Sequence, residues 1–128
     1  MHSLRQRINA RDESGFTLIE LLVVLIIIGV LLAIAVPSYL GFKDRAEAKA
    51  SAADVRSAIP DAEAYFSDNN TYVGMDAAAL LAIDSGISPA VTPANQTATS
   101  YCLEATVGSH TSHVNGPGGT VTADNGGC

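Results

Sequence analysis

The strongest pattern in the sequence is a long apolar stretch close to its start. From position 16 to position 42 the only charged residue is Glu20. A helix needs about 20 predominantly apolar residues to cross ~30 Å of hydrocarbon at about 1.5 Å per residue. A core helix of so small a protein would carry a polar face, and this stretch has none. The pattern therefore predicts a membrane-spanning helix over residues 16–42.

The next stretch changes to an amphipathic pattern. Over residues 43–66, small and apolar side chains recur at spacings of three and four, which predicts a helix with one face against a protein core. The stripe consists of Ala48, Ala52, Val55, Ile59, Ala62 and Phe66. Pro60 lies inside the pattern and predicts a kink or a break, because proline lacks the backbone donor and crowds the preceding turn.

Residues 67–128 differ in composition and predict a small globular head. They are rich in Thr, Ser, Ala, Asn and Gly, and so short a segment buries too little surface to fold easily by itself. We expect Asp76 to cap a short helix that Gly86 stops. The predicted elements are a helix at Ala77–Ile83 and strands at Thr99–Val107, His110–Val114 and Thr120–Ala123, with Pro89 and Pro93 framing a loop.

The charge balance argues against a nucleic-acid partner. The 128 residues include 13 Asp and Glu against 7 Lys and Arg, a net charge of −6, whereas phosphate binding needs a basic surface. Trp is absent and 5% of the residues are aromatic, which does not favour a surface for stacking bases.

No catalytic or metal-binding motif stands out. The sequence lacks the CxxC, HExxH and GxSxG patterns and a phosphate-binding loop. His110 and His113 with Glu104 or Asp124 come nearest to a metal site, but exposed polar residues on a hairpin explain them better. The sequence therefore predicts neither an enzyme nor a cofactor or metal site.

The two cysteines, Cys102 and Cys128, bear on the compartment. An even pair in a small domain predicts a disulfide in an oxidising environment, with two buried thiols as the alternative. The Lys and Arg residues do not settle the orientation, because three precede the apolar stretch and three follow it closely. The disulfide places the C-terminal half outside the cytoplasm.

The segment Gly15–Tyr39, GFTLIELLVVLIIIGVLLAIAVPSY, resembles the N-terminal segment of type IV pilins and pseudopilins. The shared features are a short charged leader ending in Gly15, an aromatic Phe16, Glu20 four residues on, the apolar stretch and Pro37. The resemblance implies a pilin-like α+β fold. In such a fold a long, kinked N-terminal helix, apolar in its first half, packs through its second half on a small antiparallel sheet.

The resemblance also implies processing of a precursor. In this family a membrane prepilin peptidase cuts after the glycine and methylates the new amine, so residues 1–15 would be a leader. Cleavage would fall between Gly15 and Phe16, and Phe16 would be N-methylated.

Three positions in the apolar stretch suggest roles in assembly. An ionised carboxylate within hydrocarbon costs a few kcal/mol, so Glu20 is a functional candidate, and the amine that cleavage creates at Phe16 is its obvious partner. Hydration of Glu20 near the interface is the alternative for the monomer. Gly29 and Pro37 interrupt a strong helix former and imply a segment able to lose helical hydrogen bonds during packing, although both types are common in membrane helices.

These features favour a structural function: a prepilin that is anchored in the bacterial cytoplasmic membrane and then polymerised with copies of itself into an extracellular, pilus-like helical filament. The implied partners are other copies of the chain, the prepilin peptidase, an inner-membrane assembly platform and, before assembly, the lipid bilayer. One alternative is a pseudopilin of a type II secretion or competence system. Another is an anchored binding module or enzyme, for which a head of small polar residues offers little room for a pocket.

Overall fold

A single 52-residue helix dominates the fold. The computed structural model describes residues 17–128, which divide into a first unit ending at Gly41 and a second unit, Phe42–Cys128. The elements in chain order are α1 (Leu18–Asn69), α2 (Ala77–Ile83), β1 (Val91–Ala94), β2 (Tyr101–Val107) and β3 (His110–Gly116). The α+β fold class with a long N-terminal helix and a small antiparallel sheet is confirmed.

Helix α1 runs without a break through Gly29, Pro37 and Pro60. The break considered at Pro60 does not occur, and the kink there stays a prediction. Pro60 and Arg56 are both exposed, so water can reach the carbonyl that proline leaves without a helical partner.

The end of α1 lies three residues beyond the predicted boundary of the amphipathic half. Asn70 adopts a φ of 56°, and its N–H donates to the carbonyl of Phe66 at 2.7 Å. This is the left-handed cap that commonly ends helices, formed here by asparagine in place of glycine. Residues 67–69 therefore belong to the helix and not to the head.

Helix α2 confirms the predicted short helix and its cap. The Oδ1 atom of Asp76 accepts a hydrogen bond from the N–H of Ala79 at 2.7 Å, and the helix spans the predicted residues. It ends at Asp84, whose N–H donates to the carbonyl of Leu80, two residues before the predicted stop at Gly86.

The sheet has three antiparallel strands in the order β1-β2-β3. Strands β2 and β3 confirm two predicted strands, paired from Tyr101↔Gly116 to Val107↔His110. The third prediction is wrong: Thr120–Ala123 contributes only a single bridge, between Thr122 and His113.

The remaining strand is β1, within the region predicted as a loop framed by two prolines. Pro93 lies in it opposite Leu103. Proline is tolerated there because β1 is at the edge of the sheet, where a missing donor need not break a ladder hydrogen bond.

The core of the second unit lies where α1 meets the sheet and α2. Small side chains on α1, such as Ala58 and Ala62, are fully buried and let the helix backbone come close to its neighbours. The other core members are Val55, Tyr72, Met75, Leu80, Val91, Tyr101, Leu103, Ala105 and Val114. The predicted stripe is thus the packing face, although Ile59 and Phe66 are only partly buried.

Two adjacent leucines of α2 provide a test of this core. Leu80 is fully buried and Leu81 is 53% exposed. We expect Leu80→Ala to lower the free energy of unfolding by about 2–5 kcal/mol, because it leaves a cavity, and Leu81→Ala to change it by less than about 1 kcal/mol. Urea unfolding of both variants in detergent, followed by tyrosine fluorescence, measures the difference. Equal losses would contradict the core assignment.

Candidate functional site

The start of helix α1 is built as a capped N-terminus. The backbone N–H of Glu20 donates to the Thr17 side-chain oxygen at 3.3 Å, and the Leu21 N–H donates to the Thr17 carbonyl at 3.2 Å. Thr17 and Glu20 have the spacing of a capping box. This spacing can be read in the sequence, but the prediction for residues 16–42 did not include it. Gly15 and Phe16, the predicted cleavage position, lie outside the described residues.

The position of Glu20 suits a negative charge. It is exposed and is the acidic residue of the first helical turn, where the helix dipole and unpaired N–H groups favour an anion. The first turn of α1 thus carries a carboxylate at the beginning of a long apolar helix.

The first unit presents an apolar surface that no other described residue covers. Every residue from Thr17 to Ala46 is exposed; Leu25 and Ile34, for example, are 65% and 67% exposed. Among the described residues, α1 is the one helix long and apolar enough to cross a membrane, with a mean hydropathy of 3.2 in its most apolar window. Patches of this size mark surfaces that contact lipid or protein.

A tyrosine–glutamate cluster connects α1 to the sheet. The hydroxyls of Tyr72 and Tyr101 donate to the Glu63 carboxylate at 3.1 and 3.3 Å. The Tyr72 ring contacts the rings of Phe66 and Tyr101 in tilted arrangements, with centroids 4.7 and 4.6 Å apart. Burial, and then the nearby Glu63 charge, raise the pKa of Tyr101 well above its usual range, so the phenol stays protonated and acts as a structural donor.

One carboxyl on the core side of α1 is unusual. Asp61 is 9% exposed, and its Oδ2 atom has no hydrogen-bond partner within the described residues. Burial, followed by the hydrogen bond and charge of Asp84, raises the Asp61 pKa. A raised carboxyl pKa means that this group costs stability as the pH increases through its native pKa.

The two histidines among residues 17–128 are contact residues of the head. His110 lies between Asp44 and Asp124, while the Nδ1 atom of His113 is 2.7 Å from the carbonyl oxygen of Gly126. Within residues 17–128, no group of three or more His, Cys, Asp and Glu side chains is arranged to hold a metal ion.

The predicted disulfide is confirmed. Cys102 on β2 is bonded to Cys128, and their Cα atoms are 6.0 Å apart. Closing a loop of 26 residues restricts the unfolded chain by about 3 kcal/mol in the chain-entropy model. The disulfide thus supplements a small core.

Comparison with known proteins adds an independent observation. Residues 10–36 match the family described as the prokaryotic N-terminal methylation motif. The chain is 39% identical over 100 residues to the type IV wide pilus major component PilA4 of Thermus thermophilus, which covers 73% of this chain and 72% of that protein.

Two further matches are shorter. The type II secretion system core protein G of Aeromonas hydrophila is 37% identical over 62 residues, which is 48% of this chain and 43% of that protein. The type IV major pilin protein PilA of Myxococcus xanthus is 36% identical over 66 residues, or 52% of this chain and 30% of that protein. The chain thus spans less than half the length of these two relatives.

Proposed function

Because this chain belongs to the type IV pilin and pseudopilin family, we propose that it is the pilin of a pilus-like filament, held in a bacterial cytoplasmic membrane before assembly. The chain is a structural subunit and not an enzyme, it is processed from a precursor, and it self-assembles. The proposal also covers the partners of the chain, its orientation in the membrane and the roles of individual residues.

The observation that carries the proposal is the uncovered apolar part of α1. An exposed helix surface of this length is unstable in water, since each buried apolar side chain is worth about 1.5–3 kcal/mol. Lipid covers it in the anchored state, and identical helices cover it in the filament. These contacts would be heterologous with a rotation that does not close into a ring, so that copies add along a helical fibre.

Processing would prepare the chain for this second state. Removal of residues 1–15 by a prepilin peptidase would expose the amine of Phe16, which is then N-methylated. That amine is a cation at the start of an apolar helix, and Glu20 is the carboxylate nearest to it in sequence. In a filament core with little water, the two would pair within one chain or between neighbours. The inner-membrane assembly platform would bring the copies together.

The disulfide supports one orientation in the membrane. A bond between Cys102 and Cys128 forms and persists in an oxidising compartment, so the second unit would lie outside the cytoplasm. One helix, α1, would then cross the membrane once, and the head would become the outer surface of the filament.

A pseudopilin of a type II secretion system is the second candidate. The match to secretion protein G favours it, but covers 48% of the chain. The pilus component match covers 73% of the chain, which is a larger share. This longer similarity supports the pilin as the first choice.

Mass spectrometry of the purified protein combined with electron microscopy of cell-surface filaments tests the proposal. We expect a chain that begins at methylated Phe16 and long surface fibres containing it. The same N-terminus without surface fibres would favour the pseudopilin. A water-soluble monomer, or an exported form that lacks residues 16–36, would overturn both.

A further inference from the structure

The segment after β3 covers the open edge of the sheet. Residues 121–128, which we name the clasp segment, pair with β3 through Thr122 on the side that faces away from β2 and end at Cys128, which is bonded to Cys102 on β2. The Thr122 N–H donates to the carbonyl of His113 at 2.8 Å, and the His113 N–H donates back to Thr122 at 3.1 Å. The segment thus occupies backbone groups that an edge strand would otherwise leave unpaired.

One imidazole connects the clasp segment to helix α1. The Nδ1 atom of His110 lies 2.6 Å from Oδ1 of Asp124, and its Nε2 atom lies 2.6 Å from Oδ1 of Asp44. Three elements that are distant in sequence therefore meet at His110. Its side chain is 12% exposed, so the surroundings determine its orientation.

The protonation state of His110 decides how many of these contacts are hydrogen bonds. A carboxylate only accepts, and a neutral imidazole has one N–H to donate, whereas the imidazolium has two. Both short contacts can be hydrogen bonds at the same time only when His110 is positively charged.

The other charged groups around this corner do not replace those two partners. On α1, Glu47 faces the turn at Gly108 and forms an ion pair with Lys43 at 3.8 Å. On β2, Glu104 accepts from the Cys128 N–H at 2.8 Å. On β3, His113 contacts the carbonyl oxygen of Gly126.

We propose that His110 is a pH-dependent clasp that, when protonated, fastens the clasp segment and helix α1 to the end of the β2–β3 hairpin. When His110 loses a proton, one of the two carboxylates loses its hydrogen bond and faces a neutral ring. The disulfide keeps Cys128 attached in both states. Deprotonation therefore loosens residues 121–127 without detaching them and uncovers the edge of β3.

The direction of the pH effect follows from the contacts. Hydrogen bonds that His110 donates to Asp44 and then to Asp124 raise the His110 pKa above its ordinary value of about 6.5. A raised histidine pKa contributes stability that is fully present below the ordinary value and is lost as the pH rises through the native value. The clasp is closed in mildly acidic solution and opens toward alkaline pH.

Nuclear magnetic resonance on the full processed chain in detergent tests this proposal. One measurement follows the His110 ring against pH, and the other follows amide exchange of Thr122, corrected for intrinsic rate. We expect the Thr122 protection factor to fall severalfold between a pH below the ordinary histidine pKa of about 6.5 and a pH above the His110 midpoint that the ring titration measures, while amides of the β2–β3 ladder keep theirs. Asp44→Asn and Asp124→Asn should each lower the His110 titration midpoint, and His110→Gln should remove the pH dependence at Thr122.

Asp68→Asn is the matched control, because Asp68 is an exposed carboxylate of the same helix, and it should leave both readouts unchanged. Three results would overturn the clasp. Thr122 protection that is equal at both pH values would do so, as would a decline that persists in His110→Gln. A titration midpoint that responds to only one of the two Asp→Asn variants would reduce the contact to an ordinary pair.

Discussion

Replacing Glu20 by alanine is expected to abolish fibre formation and to leave a processed monomer in the membrane. The apolar surface that anchors the monomer is unchanged by the substitution, so membrane binding persists. In the filament, however, the Phe16 amine would be enclosed among apolar helices without a counter-charge. An unpaired charge within hydrocarbon costs about 3 kcal/mol, and each subunit added to the fibre would bear that cost.

The measurement is the amount of protein that sediments as filaments, with electron microscopy to identify them. We expect sedimentable fibre to fall below detection for Glu20→Ala. Glu20→Gln should behave in the same way, because an amide can accept a hydrogen bond but cannot neutralise an amine. The membrane fraction of the same cells should contain the cleaved monomer in normal amount.

Thr17→Ala distinguishes two roles of Glu20: pairing with the Phe16 amine and stabilising the first turn of α1. The Thr17 oxygen accepts the Glu20 N–H, and loss of such a cap costs a helix about 0.5–2 kcal/mol. If Glu20 acts through the amine, Thr17→Ala should still form fibres. Loss of fibres in Thr17→Ala equal to that in Glu20→Ala would assign the effect to the helix start, and normal fibre yield from Glu20→Ala would reject the pairing.

The sequence predicts the features that depend on neighbouring residues. The apolar half of α1 follows from composition alone, since no arrangement of the remaining residues could cover so long a surface. Asp76 caps α2 as predicted, because the capping oxygen and the free N–H are three residues apart. Strands β2 and β3 follow one another along the chain, and the turn between them contains Gly108, which has a φ of 61° that glycine adopts readily.

The end of α1 and the third strand of the sheet were harder to predict, because both depend on tertiary packing. The sequence predicts that Pro93 frames a loop, but Pro93 lies in β1, which is paired with β2. The stretch Thr120–Ala123 has strand-like composition, but only Thr122 pairs. The predicted amphipathic half stops at residue 66, whereas α1 extends to Asn69 and is ended by Asn70 in the left-handed conformation.

Contacts between residues that are far apart in the sequence could not be predicted from it. His110 and Asp44 are 66 positions apart, and Glu63 and Tyr101 are 38 apart. No periodicity relates such pairs, since their meeting depends on the register of the sheet against α1. The processing position is the opposite case: its signal is local, and Gly15 can be tested directly.

Replacing Gly15 by leucine is expected to leave the precursor uncut. An extended backbone with no side chain can enter a protease cleft closely, and a branched side chain at the residue before the scissile bond would prevent that approach. Intact-mass spectrometry would then show residues 1–15 retained and no methyl group on Phe16. Gly29→Leu is the matched control, because a Cβ atom at Gly29 meets no atom within 4 Å, and this variant should be cut normally.

The uncut Gly15→Leu chain also tests the role of Glu20, because it removes the Phe16 amine, the other member of the proposed pair. Without cleavage, the Phe16 nitrogen remains a neutral peptide N–H, so Glu20 lacks the charged amine as its partner. Fibre yield should therefore be lost in Gly15→Leu as it is in Glu20→Ala. If the uncut chain formed normal fibres, the amine would not be the partner of Glu20. If it were cut efficiently, the cleavage position would lie elsewhere than between Gly15 and Phe16.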